Sequence, residues 1–150
     1  MNRTAHLARR WATSVSRREP AALDTMWAES FMLDDELLLW RQLGAADRRH
    51  AITVARRFAA IGHVSETDWS REEMAGAFLH DVGKIDSSLG TSGRVVATVV
   101  GPRTARFRSY HDHERIGADM LVAAGSSPLT IDLVRGIGRA AAALAQADHI

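Results

Sequence analysis

Only one stretch of this chain has the composition of a β-strand, and a single strand has nothing to pair with. Val95, Val96, Val99 and Val100 lie in close succession, and β-branched side chains pack well on a pleated surface. No second run of that kind occurs, so a helix or an extended piece laid against helices is expected there. Elsewhere apolar residues recur at intervals of three and four between Gly, Ser and Pro stops, the pattern of amphipathic helices. The predicted fold is all-α, one compact bundle of about six or seven helices.

Residues 4–16 read as a weakly amphipathic helix. Pro20 suits the first turn of a second helix, which reaches about residue 31 with Leu23, Trp27 and Phe31 at helical spacing. Residues 35–43 form a third, presenting Leu38, Leu39 and Trp40 and stopped by Gly44. Asp47 is a candidate N-cap for the next, whose apolar face of Ile52, Val54, Ala55, Phe58, Ala59 and Ile61 ends at Gly62. Ser70-Arg71-Glu72-Glu73 has the spacing of a capping box. Its helix carries Met74, Ala77 and Phe78 into His80-Asp81, before Gly83. Residues 110–124 make a helix closed by Gly125, and Ser127-Pro128 opens a last one reaching Asp148.

A length of 150 residues fits one domain that can bury a core without covalent staples. No window approaches the ~20 apolar residues of a membrane span. Arg3, Arg9 and Arg10 precede no apolar targeting core, so the N-terminus reads as mature protein. Cysteine is absent, which removes disulfides, thiolate metal sites and cysteine nucleophiles together and fits a cytoplasmic setting. The net charge of +1 offers no broad footprint for nucleic acid or an anionic membrane. A helical DNA-binding protein has only its arginine-bearing helices in its favour. Of 19 basic residues only Lys84 is a lysine, which singles out its position beside the His-Asp pair.

Histidine and aspartate are the ligands expected of a hydrolytic metal in a chain without cysteine. His50 lies one turn from Val54, at the edge of an apolar face, and His80 follows Glu73 and Ala77. Asp81 is adjacent; neighbouring helical residues point about 100° apart, so the pair straddles one ion only off the helix surface. Counting back from Asp148 in steps of three and four gives Ala145, Ala141, Gly138 and Val134, a small-residue stripe continuing to the carboxylate. Each residue also has a plain alternative: a hydrogen-bonded histidine at a helix edge, a solvated aspartate, a chance His-Asp neighbour. Lys84 can equally be a solvated helix-end cation.

The segments Arg48-Arg49-His50-Ala51, Ala77-Phe78-Leu79-His80-Asp81-Val82-Gly83-Lys84 and Ala147-Asp148 resemble successive signatures of the HD superfamily of metal-dependent phosphohydrolases. The His-Asp-Val-Gly-Lys form is the most specific of them. Tyr110-His111-Asp112-His113-Glu114-Arg115-Ile116-Gly117 is similar to the helix that follows it, with His113 matching a family histidine and Gly117 a close packing point. The resemblance covers residues 47–150, and residues 1–45 contribute N-terminal helices without a motif. It implies an HD-like single domain in which His50, His80, Asp81 and Asp148 hold one divalent ion (Mn, Fe, Co, Ni, Mg or Zn). It further implies that Asp81 also holds the attacking water and that Lys84 binds the substrate phosphate; by residue type, His113 is the candidate general acid or base.

Two features depart from the family pattern. Residues 130–147 hold no histidine, so a second metal lacks ligands and a two-metal phosphodiesterase is not expected. The acidic residue that follows the His-Asp motif in nucleotidase members is replaced here by Lys84 and Ile85. Within residues 90–108, Arg106 and Arg108 are candidate phosphate ligands by forked hydrogen bonds, or ordinary surface arginines. Asp148 stands close to the end of the chain, where the domain ends or a shortened product does. The expected function is hydrolysis of a small phosphate ester, a nucleotide or related metabolite, by a monomer or homo-oligomer. The alternative is a catalytically silent HD-like module that binds a ligand for signalling.

Overall fold

Ser70 begins a helix in the way its local sequence dictates. Its hydroxyl accepts the Glu73 N–H at 3.2 Å, and its own N–H donates to the Glu73 carboxylate at 2.9 Å, so two otherwise orphaned amides are satisfied reciprocally. A computed structural model describes residues 18–85 and 102–149 of the chain, with side chains from residue 112 onward in the second segment. Among these residues are seven helices and no strand: α1 (Ala22–Glu29), α2 (Asp34–Gln42), α3 (Ala45–Val64), α4 (Arg71–Leu79), α5 (Pro102–Ala123), α6 (Pro128–Val134) and α7 (Ala141–His149). The fold is an all-α bundle. The expected helix at residues 4–16 and the valine run lie outside the described residues, as do the side chains of Arg106, Arg108 and His111.

Several boundaries differ from the sequence expectations for local reasons. Pro20 precedes α1 and does not enter its first turn, since Ala21 is the N-cap. Gly44 is not the stop of α2 but the extended N-cap of α3. Asp47 therefore falls inside the first turn of α3, where a carboxylate favours the positive end of the helix dipole. That helix also runs through Gly62 to Val64. The helix expected from residue 110 starts at Pro102, a residue suited to a first helical position.

The largest difference lies at the C-terminal end. Ser127 caps α6 by accepting the Thr130 N–H at 3.2 Å, with Pro128 next, as expected. The helix then stops at Val134 and a new one begins at Ala141. Gly136 and Gly138, with φ of 74° and 101°, take the left-handed backbone that breaks it. The small-residue stripe ending at Asp148 is thus not one continuous helical face, and the burial of Leu144 and Ala147 defines the inner side of α7.

α4 is the centre of the bundle. Its residues 73–79 are all buried, as expected of a helix packed on every side. α3 and α6 pack on α4, α7 packs on α3, and α5 packs on α6. Trp27 of α1, Phe31 in the link after it and Trp40 of α2 bring their rings within 5.0, 5.9 and 5.9 Å of Phe78. Two N-terminal helices without chemical motifs therefore buttress the helix that leads into His80. No helix among the described residues is long and apolar enough to cross a membrane.

Candidate metal centre

Helices α3 and α7, together with the turn after α4, deliver the candidate ligands. His50 sits on the first half of α3, and Asp148 on the last turn of α7, where Arg57 of α3 donates to the Ala147 carbonyl at 3.3 Å. His80 is the C-cap of α4, and Asp81 follows in the turn, which frees the pair from a common helix surface. The turn is seated on α5 by a close backbone approach. A Cβ on Gly83 would collide with the His113 carbonyl and lie 2.9 Å from the Gly117 nitrogen. One on Gly117 would meet Val82 Cγ1 at 3.2 Å. Gly117 is indeed a packing point, and its partner is Gly83.

His80 and its neighbours have the geometry of a ligand set. Its Nδ1 donates to the Ala77 carbonyl at 2.9 Å, which turns Nε2 toward the other side chains. A backbone hydrogen bond on the far nitrogen is the usual device for fixing a metal-binding imidazole. The Nε2 atom is buried with no hydrogen-bond partner. Asp81 Oδ2 lies 3.5 Å from it and Asp148 Oδ1 3.7 Å. His50 Nε2 donates to Asp148 Oδ1 at 2.9 Å and lies 3.9 Å from Asp81 Oδ2. The ligand atoms of His50, His80 and Asp148 all fall within 4.8 Å of one another. Two imidazoles and a carboxylate this close, one nitrogen unsatisfied in the interior, fit a divalent cation. Asp81 flanks that group.

The electrostatics follow from the same contacts. His50 first, and then His80, hold the Asp148 carboxyl well below the ordinary carboxylate range, against the opposing effect of burial. Burial opposes a proton on His80, yet the Asp148 and Asp81 carboxylates outweigh it and raise the imidazole above its usual value. Without a cation, the centre therefore favours proton-mediated pairing of histidine with carboxylate.

Lys84, expected to face a substrate phosphate or bulk water, places Nζ 2.5 Å from Asp81 Oδ2. It still borders a cavity of about 200 Å³ shared with His50, His80, Asp81, His113 and Asp148. All six described candidates thus reach one space. Glu114 lines it as well; it is three residues from Gly117 on α5, and helical spacing from that packing point was the signal for it. Leu133, Val134, Gly136, Ala141, Leu144 and Ala145 are the other described residues of the lining. This apolar lining was hidden from sequence because α6 and α7 read as one helix.

No protein-family profile, curated protein or solved structure matches the chain.

Proposed function

We propose that the chain is a metal-dependent phosphohydrolase for a small phosphate ester, with His50, His80, Asp81 and Asp148 around one divalent cation. The observation that carries this reading is the convergence of His50, His80 and Asp148 within 4.8 Å. The likeness of His80-Asp81-Val82-Gly83-Lys84 to the HD superfamily motif supports it. A divalent cation bound there supplies Lewis acidity, lowering the pKa of water and neutralising phosphoryl charge. The other tasks belong to groups of the chain. The Lys84 ammonium draws a phosphate to the mouth of the cavity, while its pairing with Asp81 fixes that carboxylate beside His80. His113 presents an imidazole on the same lining to pass a proton to the departing oxygen. Positioning of these groups in a partly enclosed space keeps the ester and its attacking water in register.

The test is metal analysis of the purified protein beside a phosphoester panel with added Mn²⁺, Mg²⁺, Co²⁺ or Ni²⁺. One equivalent of metal and phosphate release are expected, both lost in His80→Ala and Asp148→Ala. Metal below one equivalent after these additions rejects the reading. A second reading, a catalytically silent module of the same fold, is favoured by the ion pair between Lys84 and Asp81, which occupies the oxygen needed to hold water. It predicts full metal loading and no phosphate release from any ester tested.

A further inference from the structure

The cavity beside the His/Asp group has two kinds of lining residue. One is charged and hydrogen-bonding. The other is aliphatic, supplied by Leu133 and Val134 at the end of α6 and by Ala141, Leu144 and Ala145 on α7. The helix breaks at Gly136 and Gly138, and residues on both sides of the break line the cavity. None of the five aliphatic side chains carries a donor or an acceptor. Its volume of about 200 Å³ is below the roughly 300–1,000 Å³ of pockets that take drug-sized ligands.

We infer that the aliphatic α6–α7 lining selects the organic group of the ligand, and that this group is a short aliphatic chain and not a nucleoside. The inference rests on the proposed function for the anionic end of the ligand, and on that lining alone for the other end. A nucleoside would lay ribose hydroxyls and ring nitrogens against side chains that cannot hydrogen-bond, and would lose their hydration without replacement. An alkyl chain gains from leaving water at the same place. The pairing of charged with apolar lining residues therefore matches a phosphate or phosphonate on a compact apolar tail.

Calorimetric titration of Mn²⁺-loaded protein with methyl-, propyl- and pentylphosphonate, and with adenosine monophosphate, tests this directly. Phosphonates are not hydrolysed, so binding is read whether or not the protein turns esters over. Affinity is expected to rise about fourfold per methylene, the equivalent of about 0.8 kcal/mol, until the aliphatic lining is covered. In Ala145→Trp, at a position with an exposed side chain, the bulky ring covers that lining and flattens the series while metal content stays at one equivalent. Equal affinity across the phosphonates, or tighter binding of adenosine monophosphate than of pentylphosphonate, overturns the inference. Length-dependent binding with no phosphate release from the matching alkyl phosphates upholds it and removes hydrolysis instead.

Discussion

If the proposed centre takes a cation, protons compete with it for the same nitrogen atoms. His50 Nε2 carries the hydrogen of its bond to Asp148, and His80 is pushed above its ordinary value of 6.5 by the two carboxylates, burial opposing. A raised histidine stabilises the metal-free fold fully below the unfolded value, and that contribution fades as pH rises through the folded one. Cation binding has the opposite dependence, because the ligand nitrogens must be deprotonated. As pH is raised from about 6.5, the ordinary histidine value, Mn²⁺ affinity is expected to rise and the melting temperature of metal-free protein to fall. Binding enthalpies measured in buffers of different ionisation heat should show proton release. An affinity that stays flat as pH rises would count against His50 and His80 as ligands. At this scale the residue types and their motif spacing were readable in the chain, since ligand chemistry belongs to side chains. The ion pair of Lys84 with Asp81 was not, because two charges three residues apart can each face water instead.

Elements place those residues through backbone contacts that depend on missing side chains. Gly83 lets the turn bearing His80 and Asp81 rest against His113 and Gly117 of α5. Gly83→Ala is expected to cost about 1–3 kcal/mol through overpacking, and to weaken metal binding by shifting the turn. Gly125→Ala provides the contrast. Its φ is +68° with nothing within 4 Å of an added Cβ, so backbone strain of about 1–2 kcal/mol is expected there with metal affinity unchanged. Urea unfolding and metal titration of the two variants separate clash from strain; equal metal affinity in both would leave the α5 contact without a role in the site. The Ser70 and Ser127 caps were legible because each is closed within four residues. The break between α6 and α7 was not, although Gly136 and Gly138 stand there in plain view. Glycine tolerates a helix as well as a left-handed turn, and packing chooses between them.

At the scale of the molecule, the aromatic cluster joins the motif-free half to the site. Phe78 is fully buried among Trp27, Phe31 and Trp40, two residues before His80. Phe78→Ala is expected to remove about 3–5 kcal/mol and to lower metal affinity as α4 loses its support. Leu23→Ala, at a side chain 78% exposed, should change neither quantity in the same denaturation and titration experiments. Loss of stability with undiminished metal binding would show that α1 and α2 do not brace the centre. The chain by itself determined the helical class, since repeated apolar spacing without a strand partner leaves one way to bury those side chains. It also supplied the histidines and aspartates on which the proposed metal site rests. Only the tertiary structure decided that His50 and Asp148, 98 residues apart, share a hydrogen bond, that Gly83 rests on α5, and that aliphatic residues on both sides of a helix break line the cavity. Long-range juxtaposition depends on how helices pack side by side, and local spacing carries no record of which faces will meet.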